Sequence, residues 1–127
     1  MEDRTYRILV ADGDTFLAEV FRARLQQLGF AVDSAVTGDE ATERLAGGDY
    51  DLVLTEIDLP GGEPFGLVGQ VLALGDGRPT CVVLTRSFDP DDIARASELG
   101  ADAVVTKTHA TYDDVAAKVR ELLALRR

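Results

Sequence analysis

The stretch Asp51-Leu52-Val53-Leu54-Thr55-Glu56-Ile57-Asp58-Leu59-Pro60-Gly61 restricts the fold more than any other part of the chain. It opens as a nearly continuous apolar run, the pattern of a strand buried on both faces of a parallel sheet. Such a strand needs helices above and below it. Where the run breaks it sets down two carboxylates, Glu56 and Asp58, and Pro60-Gly61 then turns the chain away. An open α/β sheet builds its site at the carboxyl ends of its strands, so the same stretch marks a candidate acidic crevice.

The rest of the chain alternates strand and helix around it. Short apolar strands are expected over residues 7–11, 31–35, 80–85 and 101–106. The second is more polar and suits a sheet edge. Helices are expected over 15–28, 39–46, 65–74, from Asp89-Pro90 to Leu99, and from Thr111 to the end. In the first, Leu17, Val20, Phe21, Leu25 and Leu28 form one stripe at helical spacing, and Gly29 stops it. Asp89 caps a helix whose first position is Pro90, and Thr111-Tyr112-Asp113-Asp114 resembles a capping box with Asp in place of Glu. Five strands alternating with five helices imply a doubly wound parallel sheet with right-handed crossovers, the flavodoxin-like (βα)5 arrangement in strand order 2-1-3-4-5. That order puts its switch point between the first and third strands, which end at Asp12 and Glu56.

Length and charge narrow the function. Residues 1–127 are read as one domain, too short for two cores. The formal net charge of −10 argues against nucleic acid and anionic lipid, both of which need clustered Lys and Arg. Cys81 lies inside Cys-Val-Val-Leu and reads as a buried apolar residue; with no second cysteine there is no intrachain disulfide. No signal peptide or membrane span is recognisable, so a soluble cytoplasmic protein is expected. His109, the only histidine, has no neighbouring cysteine and carries no metal expectation.

Arg-Ile-Leu-Val-Ala-Asp-Gly-Asp, Tyr-Asp-Leu-Val-Leu-Thr-Glu-Ile-Asp-Leu-Pro-Gly, Val-Val-Leu-Thr and Leu-Gly-Ala-Asp-Ala-Val-Val-Thr-Lys occur in that order. Together they resemble the acidic cluster, the phosphoacceptor strand, the Thr/Ser strand and the Lys strand of response-regulator receiver domains of bacterial two-component signalling. The resemblance implies a phosphorelay pocket made of Asp12, Asp14, Glu56, Asp58, Thr85, Arg86 and Lys107. In the family an Asp at the end of the third strand attacks a phosphohistidine, a carboxylate-held Mg²⁺ neutralises charge, and Lys and Thr bind the phosphoryl oxygens.

This sequence departs from that pattern. Glu56 stands in place of the acceptor Asp, and its extra methylene moves the nucleophile by more than ~1 Å, enough to cost in-line transfer about 10²-fold. Gly13 replaces the second acid, so Mg²⁺ is expected to bind weakly or not at all. Any metal would rest on Asp12, Asp14 and Glu56, with Asp14 or Asp58 in partial compensation. Arg86 replaces a small residue and is placed to pair with the crevice acids. Thr108 follows Lys107 where the family has a cis-proline, so a trans bond is expected there. Val104 takes the place of the aromatic switch.

The expected function is therefore that of a pseudo-receiver: a non-enzymatic, phosphorylation-independent interaction domain whose partner is an output domain, a kinase or another regulator, or a second copy. The interaction face implied by the resemblance involves Arg95, Glu98, Val104, Tyr112 and Lys118. An output domain normally follows such a receiver, and none is expected within this sequence. Glu56 reaching toward Lys107 and Thr85 would also imitate a phosphorylated Asp. A second reading keeps the phosphorelay with Asp58 or Asp12 as acceptor. A third, remote reading takes Ile-Leu-Val-Ala-Asp-Gly-Asp-Thr-Phe as the first motif of a haloacid-dehalogenase-type phosphohydrolase. Against the third, Phe16 replaces the expected Thr or Val, and no later strand ends in an acid pair.

Overall fold

The structure, a computed structural model, describes residues 5–86, 89–107 and 111–126. Five parallel strands form one sheet in the order β2-β1-β3-β4-β5: β1 (Arg7–Ala11), β2 (Ala31–Ala35), β3 (Leu52–Glu56), β4 (Thr80–Thr85) and β5 (Ala103–Thr106). The connecting helices are α1 (Thr15–Gln27), α2 (Gly38–Gly47), α3 (Gly66–Leu72), α4 (Pro90–Leu99) and α5 (Tyr112–Ala124). The strand order is the one expected from the sequence, and the polar β2 does lie at an edge.

Alternation along the strands sends side chains into two cores. Ile8, Val10, Leu52, Leu54, Val82 and Leu84 pack with Phe21 and Leu25 of α1 and Val115 and Val119 of α5. Leu9, Ala11, Val53, Cys81 and Val83 pack on the other face with Ala41 of α2, Val68 and Val71 of α3 and Ala96 of α4. Every residue of β4 is buried, which is why its sequence shows no polar alternation. Each fully buried Val or Leu contributes about 1.5–3 kcal/mol, so the central strands anchor the fold.

Register positions the crevice. Ala11 lies opposite Thr55, Glu56 opposite Leu84, and Thr85 opposite Thr106, so four strands end level with one another. One further hydrogen bond extends two of them: Asp12 N–H to the Ala35 carbonyl at 3.0 Å and Lys107 N–H to the Thr85 carbonyl at 2.7 Å. These bonds continue the ladder just beyond the strands and fix the backbone of the two residues whose side chains meet.

Among the boundaries that differ from the sequence-based expectation, those of three elements have a visible cause. Strand β5 starts at Ala103 because Asp102 is diverted: its carboxylate accepts the Cys81 N–H at 2.8 Å and takes Arg78 in a fork at 2.9 and 3.3 Å. Helix α3 is shorter at both ends, and Phe65, expected as its first residue, is instead its N-cap with φ 61°, a left-handed conformation unusual for a residue with a Cβ. Partial burial of the ring in the second core and a 2.9 Å bond from Phe65 N–H to the Ile57 carbonyl hold it there. Asp51 falls outside β3 because its carboxylate accepts the Arg7 N–H at 2.8 Å. The helix starts at Asp89-Pro90 and Thr111-Asp114 form as expected, the latter as a complete capping box.

Candidate functional site

Asp12, the first residue after β1, is fully buried. Its Oδ1 accepts the Asp14 N–H at 2.9 Å and its Oδ2 receives the Lys107 ammonium at 2.6 Å. Lys107 comes from the end of β5 and also reaches Glu56 Oε2, at 2.8 Å. The other oxygen of Glu56 accepts the Gly13 N–H at 2.8 Å. Asp14 is the N-cap of α1: its Oδ1 accepts the Leu17 N–H at 3.2 Å. Arg86, just past β4, lies over the mouth of the crevice, 3.7 Å from Asp14 Oδ2 and 3.8 Å from Glu56 Oε2. Every oxygen of these three carboxylates thus faces a donor or a cation.

Burial and pairing divide the acids. Loss of water pushes the Asp12 carboxyl above its ordinary value, and the nearby Glu56 adds to this against the pull of Lys107. Burial acts in the same sense on Glu56, but its contacts with Asp12, Lys107 and the Gly13 amide outweigh it and hold that carboxyl below its ordinary value. Of the two, Glu56 is the more readily ionised. The Lys107 side chain is only 10% exposed and has two carboxylates within 2.8 Å, so it acts as an internal counter-ion.

Beside the cluster an open cleft of about 510 Å³ is lined by Gly13, Asp14, Glu56, Asp58, Thr85, Arg86 and Asp92, among others. Asp58 is exposed on its rim, and Thr85 is buried at its edge. The pairing of Arg86 with crevice acids, anticipated from its type, is present at these separations. Gly13 has a role the sequence did not reveal: besides its N–H on Glu56, a Cβ there would lie 2.8 Å from Pro60 Cδ. The only hint was Gly13 itself, between two acids. The capping role of Asp14 was missed in the sequence, although an Asp directly before an apolar stripe is an N-cap signature.

The remaining candidates lie elsewhere. Arg95 and Glu98 are exposed on α4, and Val104 packs partly buried in the core beneath that helix. Tyr112 turns the other way, meeting Phe21 of α1 edge-on at 5.2 Å, and Lys118 pairs along α5 with Glu121 at 3.6 Å. The expected trans bond at Lys107–Thr108 and the reading of His109 fall outside the described residues.

The model of the response regulator receiver domain family matches residues 8–120. The chain belongs to that family. This receiver is 33% identical over 114 residues to the transcriptional regulatory protein DltR of Streptococcus agalactiae, covering 90% of this chain and 50% of that protein. It is 34% identical over 117 residues to the transcriptional regulatory protein CutR of Streptomyces coelicolor, covering 91% and 52%. It thus spans about half the length of these curated relatives. A CheY-like receiver domain protein from Methanospirillum hungatei superposes with a TM-score of 0.87 at 26% identity, over 95% of each chain. Two-component signalling is therefore the context of this receiver. The exclusion of nucleic acid drawn from net charge is not supported for the pathway as a whole, since these relatives are transcriptional regulators. No helix among the described residues is long and apolar enough to cross a membrane.

Proposed function

We propose that this receiver works in the cytoplasm as a phosphorylation-independent protein–protein interaction domain. One observation carries the reading: Glu56, in the acceptor position, has both oxygens engaged, Oε1 by the Gly13 N–H and Oε2 by Lys107, each at 2.8 Å. An acceptor must present a free oxygen in line with the phosphorus, and a misplacement of ~1 Å costs about 10²-fold. Glu56 is both longer than Asp and already bound on both sides.

The same contact gives the domain its signalling state. Glu56 holds Lys107 much as a modified acceptor would, although it brings about one charge where a phosphoryl group brings nearly two. The partner is a protein: an output domain, a kinase, another regulator or a second copy, met on the exposed surface of α4 around Arg95 and Glu98. DNA contact belongs to the partner or to other parts of such regulators, because this chain's net charge of −10 opposes it.

The test is incubation with acetyl phosphate and Mg²⁺ followed by intact-mass spectrometry, with a beryllofluoride titration read by amide NMR. The expected result is no phosphoryl adduct and no saturable shift at Lys107, Thr85 or α5. An adduct on Asp58 or Asp12 would overturn the proposal in favour of a relay with a substitute acceptor.

A further inference from the structure

The family's chemistry calls for a divalent cation among the crevice carboxylates, and the arrangement here does not fit one. Mg²⁺ demands near-octahedral oxygen ligands at about 2.0–2.1 Å. Asp12 Oδ1 already accepts a backbone N–H and its Oδ2 holds Lys107 at 2.6 Å. Asp14 Oδ1 is spent on capping α1, and Glu56 Oε1 on the Gly13 amide. Gly13 offers no side chain, and a Cβ there would meet Pro60 Cδ at 2.8 Å. What remains is Asp14 Oδ2 with the outer side of Glu56 Oε2, and Arg86 faces both.

We infer that Arg86 is the resident counter-cation of this crevice, standing on its solvent side where other receivers place a metal ion. Lys107 neutralises the buried side of the same carboxylates. The separations of 3.7 and 3.8 Å are those of a charge held near its partners rather than of tight forks, and the Arg86 side chain is 61% exposed. It therefore contributes little to folding, and its effect is to repel a second cation. This inference rests on the phosphorylation-independent reading and names the device that keeps the pocket in one charge state.

Three proteins test it: wild type, Arg86→Ala and Arg86→Lys, each titrated with Mg²⁺ by amide NMR and with Mn²⁺ by paramagnetic broadening. Removing one positive charge ~5 Å from a divalent ion raises affinity by about tenfold even with the screening of bulk water. Arg86→Ala is expected to gain saturable binding at the Gly13, Asp14 and Glu56 amides, at least about tenfold tighter than wild type. Arg86→Lys, which keeps the charge, is expected to match wild type. Equal affinity in wild type and Arg86→Ala overturns the inference. So does an Arg86→Lys variant that gains as much as Arg86→Ala, because shape rather than charge would then be responsible. The two proposals fail separately: a phosphoryl adduct on wild type removes the functional reading whatever the cations do, whereas equal cation affinities remove only the role of Arg86.

Discussion

The Lys107 ammonium lies 2.8 Å from Glu56 Oε2, joining the end of β5 to the end of β3 across the intervening strand β4. The same nitrogen is 2.6 Å from Asp12 at the end of β1, so one cation ties three strands. Lys107 is nearly buried with these acids, and its removal leaves Asp12 without a counter-ion and Glu56 with only the looser Arg86.

Lys107→Met is accordingly expected to destabilise the domain by about 3–5 kcal/mol, the cost of breaking a buried ion pair from one side. Glu56→Gln keeps the side-chain length and an acceptor oxygen, and leaves Asp12 to pair with Lys107. Its cost is expected at about 1–2 kcal/mol. Urea unfolding at neutral pH measures both. Equal losses would show that Glu56, not Lys107, organises the cluster.

Pro60 fills the space in which a side chain at Gly13 would stand. Gly13→Ala is expected to cost about 1–3 kcal/mol, because the added methyl must displace the proline ring or shift the Gly13 amide away from Glu56. Pro60→Ala in the same chain is expected to return much of that loss. A double-mutant cycle reads the coupling, and strict additivity would place the cost elsewhere.

Tyr50 gives an alkaline signature. Its hydroxyl donates to Asp33 Oδ2 at 2.6 Å, and burial, with that acceptor, pushes the phenol from 10.0 up to about 12. A group raised on folding stabilises fully below its unfolded value and loses that contribution as pH climbs to its folded value. Wild type is therefore expected to lose roughly 2–3 kcal/mol between about pH 10 and 12. Tyr50→Phe, which keeps the ring beneath Arg7 but cannot ionise, should lose correspondingly less. Cys81, whose thiol burial also raises to about 12, is common to both proteins and cancels in the comparison.

Asp102 delays the start of β5 by serving β4. Asp102→Ala leaves the buried Cys81 N–H without its carboxylate and releases Arg78, and is expected to cost about 1–3 kcal/mol. Asp102→Asn, which can still accept the N–H, should recover part of the loss in the same denaturation measurement.

Elements with strong local signals were legible. The unbroken apolar runs of β3 and β4 needed two covering layers, Asp89-Pro90 announced α4, and Thr111 with Asp114 announced α5. Misplaced boundaries share one cause. Asp102, Phe65 and Asp51 are held by partners distant in sequence or by core packing, and no local window contains those partners. The acids of the crevice were identifiable from their position after strands and the pairing of Arg86 with them from its type, but the partner of each oxygen was not.

Residue type and order by themselves determined that this is a five-stranded doubly wound sheet and that the ends of its strands carry acids and a lysine. Those properties follow from periodicity and identity, which are written along the chain. Only the tertiary structure decided which oxygen each cation takes, that Gly13 lends its amide to Glu56, and that Pro60 walls off the place of a side chain there. Such contacts depend on level strand ends and on distances of a few tenths of an ångström, which arise only when residues far apart in sequence are packed together.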